Sequence, residues 1–588
     1  MYIRHLDNLI SEESVKVIDE FHEKPKLKKN IEISQIKWAK LGSLSFLKPM
    51  IEENKGAVIK RLDENGNGSL KDYISTPLAS ECKLNEFQLE LFSLLQSYKD
   101  LLYTNQTIDN SDDIQRVYVL HVLDHLMKSR AQIINNNKLF EKKTFDSTID
   151  DDPEWRDQGF TRARVLFLLP FRYSALKLGK TLVKMLGDKF TVAHFDRFIQ
   201  EFGDEDGADS VLRPIPSDGN KPIDYYHTFH GNTDDSFRIG LKLTKKSVKF
   251  FSDFYDSDII IASPLGLKTI ITPDEQQAVA ASDGDSLPPS GDKDFLSSIE
   301  IVILDQADIF LMQNWEHVLD IMQHINTMPT KPRKMDIARV RHWHLENWSK
   351  YYRQLIMFSF VSVPLVHSFF QAHSFNYEGY LTFKHRIDNP QAVQITTRCK
   401  QQFLYYDSPN AKDACDDRYN FFIKHVLPKY TGLVSTGELG TMDPLDHTLI
   451  MVSSYFDYVR LRNYFRREKL SFTQICEYTE ENKVAKARQL FYFGARQFLI
   501  YTERCHFYHR YKIKGIRHII FYEPPIYPRF YTELVGMLSP ELQGKKFVED
   551  KLHFTATTLF SNHDTLQLGA VVGYSNAVKL IQNKKSIT

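Results

Sequence analysis

The stretch that most restricts this chain is Ile299 to Leu304, together with the four residues that close it, Asp305, Gln306, Ala307 and Asp308. Ile299, Ile301, Val302, Ile303 and Leu304 form a short apolar run rich in β-branched residues, the pattern of a strand buried on both faces of a parallel sheet. Such a strand delivers the residues that follow it to the carboxyl edge, where open α/β sheets place their chemistry. The segment therefore predicts two carboxylates, Asp305 and Asp308, at a working edge, with the neutral amide Gln306 between them. A strand ending in Asp-x-x-Asp is also an ordinary α/β feature, in which the carboxylates only cap or orient.

The surrounding sequence repeats that style. Residues 161–394 carry strand patterns at Arg164–Pro170, Lys189–His194, Asp258–Ser263, Ile299–Leu304 and Leu355–Val361, separated by helical patterns such as the one from Ser174. Residues 395–588 do the same, with strands expected at His447–Val452, Phe472–Glu477, Gln497–Tyr501, His518–Tyr522 and Thr557–Phe560, and helices at Tyr455–Glu468 and Lys483–Tyr492. Alternating strands and helices predict two doubly wound parallel sheets. Ahead of them, residues 81–160 show helical spacing (Phe87, Leu91, Leu94, Leu95, Tyr98; then Val117, Leu120, Leu123, Leu126) and are expected to pack on the first sheet. Residues 1–80, with the basic run Lys24–Lys29 and the breaker-rich ENGNGSL at 64–70, are expected to form a peripheral arm.

The bulk properties limit the function classes. Hydrophobic residues make up 42% of the 588 positions and no apolar run reaches membrane length, which points to globular domains without a spanning helix. The opening residues show neither a secretory signal nor an Arg-rich transit pattern, so a cytosolic or nuclear protein is expected. Cys82, Cys399, Cys415, Cys476 and Cys505 are scattered singly, without the spacing of a zinc site or a disulfide framework. Formal charge is zero, so any nucleic-acid contact must come from local basic patches.

Two α/β domains with Asp-Gln-Ala-Asp at a strand end resemble a superfamily-two helicase, whose corresponding box reads Asp-Glu-Ala-Asp. In that box the first Asp holds Mg²⁺ through water and the Glu polarises the attacking water; Gln306 cannot take that proton at neutral pH. The other boxes are partly kept. Pro170-Phe171-Arg172 resembles Pro-Thr-Arg, Ser263-Pro264-Leu265-Gly266-Leu267 resembles Thr-Pro-Gly-Arg-Leu, Ser359 stands where Ser-Ala-Thr would, and Thr502-Glu503 stands where Thr-Asp would. Strand-end groups of this kind, here Pro170, Arg172, Ser263, Pro264 and Thr502, can hold phosphates without reading bases. No Gly-x-x-x-x-Gly-Lys-[Ser/Thr] precedes the Arg164–Pro170 strand: residues 110–158 contain no glycine. Gly179-Lys180-Thr181 falls inside a predicted helix and reads as helix surface. The His-x-x-Gly-Arg-x-x-Arg box is also missing, so nothing is left to stabilise charge on a γ-phosphate.

Two basic and aromatic stretches have a double reading. Arg504, Arg510, Lys512 and Lys514 interleave with Phe507, Tyr508 and Tyr511, which suits phosphate pairing and base stacking or, equally, a solvated loop whose rings fill a core. Trp343, Trp348 and Tyr352 recur at helical spacing and fit a core or a partner-binding face better than a nucleic-acid surface. Lys483, Lys486, Arg488 and Arg496 read as the solvated face of a helix.

ILDQADIFLMQNWEHV, RVRHWHLENWSKYYRQL, SSYFDYVRLRNYF, FTQICEYT and above all YTERCHFYHRYKIKGIRHIIFYEPPIYP resemble the digestive organ expansion factor family, also called U-three small nucleolar RNA-associated protein twenty-five. The resemblance spans roughly residues 80 to 580. It implies two RecA-like domains, residence in the nucleus and nucleolus, and a helicase-like component of the small-subunit processome acting in early pre-18S ribosomal RNA cleavage. Its implied partners are pre-ribosomal RNA, the U-three ribonucleoprotein and other processome proteins, with no membrane. Neither ATP-driven unwinding nor a cofactor or metal is implied. Asp305, Gln306 and Asp308 then survive as a degenerate NTPase box, capping strands or bonding between domains, in a scaffold rather than an enzyme. Family members usually carry a long acidic N-terminal extension, whereas this sequence opens close to its predicted folded part.

Overall fold

In the computed structural model, residues 2–23, 31–52, 84–143, 155–188, 190–204, 221–272, 291–331, 335–384, 390–432, 445–539 and 554–584 are described. The run at Lys24–Lys29 and the loop expected at 64–70 lie outside them. The chain divides into two compact units, Met1–Phe360 with Val366–His385, and Val361–Leu365 with Arg386–Thr588.

The first unit is built on β9 (Ile301–Leu304), whose four residues are all buried. It pairs in parallel with β4 (Val165–Leu168) on one side and β10 (Gln354–Phe358) on the other. Beyond β4 comes β8 (Ile259–Ala262), and beyond β10 come β3 (Asp100–Tyr103) and β11 (Tyr380–Phe383), all parallel. Every residue of β3, β4, β8, β9 and β10 is buried, which explains why β4, β8, β9 and β10 read as apolar runs rather than alternating ones.

Antiparallel pieces extend both edges. On one side β6 (Arg238–Leu243) turns back against β8 and leads to β7 (Ser247–Ser252) and β5 (Thr191–Ala193). On the other side the hairpin β1 (Ile31–Trp38) and β2 (Gly42–Pro49) joins β11. Gly42, at φ +83°, opens the return strand, and the buried Glu90 carboxylate accepts from Lys40 N and Leu41 N in the turn at 3.0 and 2.9 Å.

The described part of residues 1–80 is therefore not a peripheral arm, and residues 81–160 are not helical throughout. The hairpin and β3 belong to the sheet itself, while α1 (Tyr2–Leu6), α2 (Glu12–Glu23) and the link between them bury Tyr2, Leu6, Ile10 and Ile18 in a cluster with Tyr98, Trp343, Tyr352 and Tyr377. Four-residue β3 was hidden in the sequence because Leu101, Leu102 and Tyr103 continue the helical spacing that precedes them.

After β3 and a seven-residue loop comes the long helix α3 (Ser111–Lys143). Two imidazoles kept neutral by burial fix it over the sheet: His121 Nε2 lies 2.8 Å from Gln354 Oε1 and His125 Nε2 lies 2.7 Å from Glu300 Oε2.

The second unit is a plainer sheet. Six parallel strands among the described residues run in the order β12 (Lys400–Tyr405), β17 (Thr555–Phe560), β16 (His518–Phe521), β13 (Thr448–Val452), β15 (Phe498–Thr502) and β14 (Phe472–Ile475). Five of these were expected; β12 was not, because KQQFLY carries too little apolar periodicity to stand out. Among the described residues no helix is long and apolar enough to cross a membrane.

Candidate functional site

The end of β9 is closed rather than open. Asp305 is buried, with Oδ1 accepting from Gln106 Nε2 at 2.9 Å and Oδ2 accepting from the Tyr118 hydroxyl at 2.8 Å. Burial pushes its carboxyl above the ordinary Asp value, against the opposing effect of those two bonds and of Lys177. Gln306 turns the chain in the left-handed region, at φ 56°, into α4 (Ala307–Met312), and its Oε1 accepts from Ser174 Oγ at 2.9 Å. Asp308 Oδ1 accepts from Phe360 N at 3.0 Å. Each polar group of the box is thus tied to another element of its own unit.

The groups that cover Asp305 come from a strand, loop and helix in the arrangement used for phosphate binding: β3, then Thr104–Asn110, then α3. The strand that would carry a phosphate loop is β3 rather than β4, from which it is separated by β10 and β9. Its loop reads TNQTIDN, without a glycine to bring the backbone close to a ligand or a lysine to reach one. The loop is closed on itself and on β10: Thr107 N donates to Asn110 Oδ1 (2.7 Å), Asn110 Nδ2 to Asn105 O (3.0 Å), and Gln106 N to Ser359 O (3.2 Å).

The start of α3, where a helix normally welcomes an anion, carries Asp112 and Asp113, with Asp109 at the end of the loop before it. Asp112 pairs with Lys177, and Asp113 accepts from Asn85 Nδ2 and Gln88 Nε2 at 3.1 and 2.7 Å. A magnesium triphosphate, which a helicase-like fold implies, does not fit this set. The carboxylate that would face the metal is buried under Gln106 and Tyr118, and the loop that would wrap phosphates offers acids. Gly179 of the Gly-Lys-Thr sequence lies within the helix Arg172–Leu186, where a Cβ would come within 2.5 Å of the Phe198 ring, so close helix packing accounts for it.

Most side chains singled out as RNA candidates are engaged internally. Arg172 is ion-paired through Nε to Asp234 (2.7 Å), donates to Glu201 O and Ser236 O at 3.0 and 3.1 Å, and lies over the Phe202 ring. Pro170 is buried. Ser263, fully buried, caps the helix Pro264–Ile271 by accepting from Gly266 N at 2.9 Å, and Pro264 is the buried first residue of that helix. Thr502, also buried, caps the helix Glu503–His509 and donates to Glu477 Oε2 at 2.9 Å; Arg504 sits 3.9 Å from the same Glu477.

Arg510 is buried, donates to His506 O and Phe507 O, lies 3.2 Å from Glu533 and covers the Phe530 ring. The reading of Ser263, Pro264, Thr502 and Arg510 as RNA contacts is corrected accordingly: these hydroxyls and this guanidinium are structural. Lys512 and Lys514 remain, and both are exposed.

The partner-binding reading of Trp343, Trp348 and Tyr352 is corrected too, because their partner is the chain's own N-terminus. Trp343 and Tyr352 are 2% and 1% exposed, stacked at 4.6 Å, and Trp348 packs beside them. Trp343 Nε1 donates to Leu6 O (3.0 Å), the Tyr352 hydroxyl donates to Asn8 O (2.7 Å) and Ile10 N donates back to that hydroxyl (3.1 Å). Helical spacing revealed an apolar face; a cover more than 330 residues away left no local trace.

At the strand ends of the second unit, Glu503 occupies the position read as a replaced Asp. It is buried, accepts from Ser453 Oγ and from Tyr527 N, and burial pushes its pKa up to about 7. Nearby Arg418 bridges Asp457 and Glu523 at 3.2 and 2.6 Å. Among the described residues no group of three His, Cys, Asp or Glu side chains is arranged to hold a metal. The His506 ring is bonded to Tyr501 and Glu533.

With this geometry in hand, the similarities to known proteins are specific. The family described as "UTP25, NTP hydrolase-like domain" matches residues 98–381, and "Utp25, C-terminal domain" matches residues 391–588. The U3 small nucleolar RNA-associated protein 25 homologs of Xenopus tropicalis and Homo sapiens are each 39% identical to this chain, covering 100% and 94% of it and 72% and 71% of their own lengths. The protein of that name from Podospora anserina is 38% identical over 83% of this chain and 70% of its own. Among solved structures, the yeast DEAD-box splicing factor Prp28 aligns over 94% of this chain and 88% of its own with 13% identity and a TM-score of 0.30; the fold rests on the sheet topology above, not on that superposition.

Proposed function

This chain belongs to the UTP25 family, and on that premise we propose that it is a helicase-derived scaffold of the small-subunit processome. In this reading it works in the nucleolus in ribosome biogenesis, binding pre-ribosomal RNA, the U3 ribonucleoprotein and neighbouring processome proteins during early pre-18S processing, without turning over nucleotide. The names of the relatives support the U3 association and the setting. One observation carries the non-catalytic part: both oxygens of Asp305 are held by Gln106 and Tyr118, beneath a loop with no glycine or lysine. A carboxylate so placed has exchanged the hydration a metal site needs for internal hydrogen bonds, and the neighbouring Gln306 offers no base.

The test is hydrolysis by the purified chain, with and without RNA, alongside Asp305→Ala. We expect no saturable ATP hydrolysis from either. Saturable turnover that Asp305→Ala abolishes would establish an RNA-dependent ATPase with divergent boxes and overturn the reading. Ultraviolet crosslinking of the tagged protein in cells tests the RNA part: recovery of pre-ribosomal or U3 RNA is expected, and particle association without any such RNA would leave a purely protein-binding module.

A further inference from the structure

We propose that the first unit binds an extended peptide segment of a partner protein in a cavity at the amino edge of its sheet, seating an acidic side chain of that segment on Arg130. This rests on the protein-binding part of the function proposed above and names where one partner docks. The cavity lies at the opposite end of the sheet from Asp305, between the second half of α3 and the segments that lead into β4 and β8.

The cavity holds about 1000 Å³, at the upper end of the range for ligand sites. Leu126, Ile133, Ile134, Phe160 and Met335 give it apolar walls. Arg130 stands among them, one turn before Ile134 on the same face of α3.

Nothing in the fold accounts for that cation. The Arg130 Nε is buried without a hydrogen-bond partner, and among the described residues the guanidinium bonds only to Leu243 O, through Nη1. That carbonyl already accepts from Arg162 Nη2 at 3.1 Å. The acid that bears on Arg130 is Asp258, and Arg162 takes both of its oxygens at 2.9 and 2.8 Å. Burial and the charge of Arg162 hold the Arg130 pKa below the ordinary guanidinium value, so the site keeps a cation short of a counter-charge. Arg164 lines the same cavity at 6% exposure. Its Nη1 has no hydrogen-bond partner, and Glu300, 3.9 Å away, is shared with Arg341 at 2.9 Å and His125 at 2.7 Å. Desolvating cations in this way costs free energy that an incoming carboxylate recovers.

The other walls decide which anion fits. Asp253 and Asp256 line the cavity too, and Asp253, which accepts from Tyr255 N, meets no cation among the described residues. A polyanion such as RNA would bring repeated charge against those carboxylates, and an inorganic anion would leave the apolar walls bare. A peptide answers all three features, with an acid for Arg130, aliphatic side chains for the walls and a basic residue for Asp253.

The experiment places the photoactivatable residue p-benzoylphenylalanine at Ile134 in the tagged full chain, irradiates cells and identifies the crosslinked sequence by mass spectrometry. One partner sequence is expected, with an Asp or Glu within a few residues of the crosslinked position. Arg130→Gln in the same background should lower the yield by roughly tenfold, as for the loss of one charge-assisted hydrogen bond, and Asp253→Asn, which can still accept from Tyr255 N, by about threefold. Thermal melts of both variants should match the wild type, since Arg162 continues to bond Leu243 O.

No crosslink, or crosslinks to RNA or to this chain alone, would overturn the inference. So would a partner whose crosslinked segment carries no acid, or whose yield Arg130→Gln leaves unchanged. A melt lowered by Arg130→Gln would make Arg130 a structural residue and overturn it as well. In each case a purified chain that still carries processome proteins leaves the protein-binding function standing, whereas one that carries none would overturn both.

Discussion

The two units share a parallel sheet but close their carboxyl edges with different chemistry. In the first, the strand-end acid Asp305 is answered by neutral groups, an amide and a phenol, both supplied by the strand, loop and helix at Asp100–Lys143. In the second, Glu503 is answered by a hydroxyl and a backbone amide, but beside it Arg418 bridges Asp457 and Glu523, so a compact ion network occupies the edge. An edge held by neutral donors loses a bond when one donor is removed. An edge held by a buried cation loses the compensation of two charges at once. That difference sets the expected rank of the perturbations.

The largest effect is therefore expected in the second unit. Arg418→Ala leaves Asp457 and Glu523 without their cation and should destabilise that unit by about 3–5 kcal/mol. Urea unfolding read by hydrogen exchange at β13 and β15 amides checks it, and a loss no greater than that of an exposed-surface substitution would erase the contrast. Tyr118→Phe in the first unit removes one hydrogen bond to Asp305 and keeps the ring, so the loss should be about 1.5–3 kcal/mol, read at β9 and β10 amides. If the two substitutions rank the other way, the neutral lid is the more tightly coupled edge.

How far the sequence revealed this contrast follows from which forces leave local patterns. Fully buried strands announce themselves, so β4, β8, β9, β10, β13, β15 and β16 were all legible as apolar runs, and with them the two-sheet architecture. Segments whose cover lies far away in the chain were not. Leu101–Tyr103 merged with a helical spacing, the hairpin Ile31–Pro49 joins its sheet only through Tyr380–Phe383, and Trp343 and Tyr352 looked like a face awaiting a partner because Leu6 and Asn8 are distant in sequence. At the site, the identities of Asp305, Gln306 and Asp308 could be read directly. That Gln106 and Tyr118 would take the Asp305 oxygens could not, because two hydrogen bonds across some 190 residues have no periodicity to detect. Ser263 and Thr502 were visible as hydroxyls at strand ends, yet the same position serves a phosphate contact or a helix cap, and burial alone separates the two.

A smaller effect distinguishes the edges by pH. Glu503 keeps its proton in the folded chain up to about pH 7, because burial disfavours its charged form, whereas the unfolded chain releases it near 4.5. Its contribution is therefore full below about pH 4.5 and is lost as pH rises toward 7. Between pH 5 and pH 8 the second unit should lose on the order of 1–2 kcal/mol that a Glu503→Gln variant does not lose. Parallel pH profiles for the two proteins would remove Glu503 from the account of that edge.

The smallest expected effect is the most pointed. Gln306→Glu restores the letter that a working helicase box would carry, and we expect it to yield no ATP turnover. A general base acts only on a water held against a bound phosphoryl group, and here the neighbouring loop supplies neither glycine nor lysine while Asp109, Asp112 and Asp113 line the approach. The new carboxylate would also face the Ser174 hydroxyl, which can donate to it as it donates to the amide, so the fold should tolerate the change with less than about 1 kcal/mol lost. A folded Gln306→Glu protein that hydrolyses ATP through many turnovers would mean that the first unit still grips nucleotide. The closed edge around Asp305 would then be one state of a site that opens, and the contrast between the units would be one of conformation rather than of chemistry.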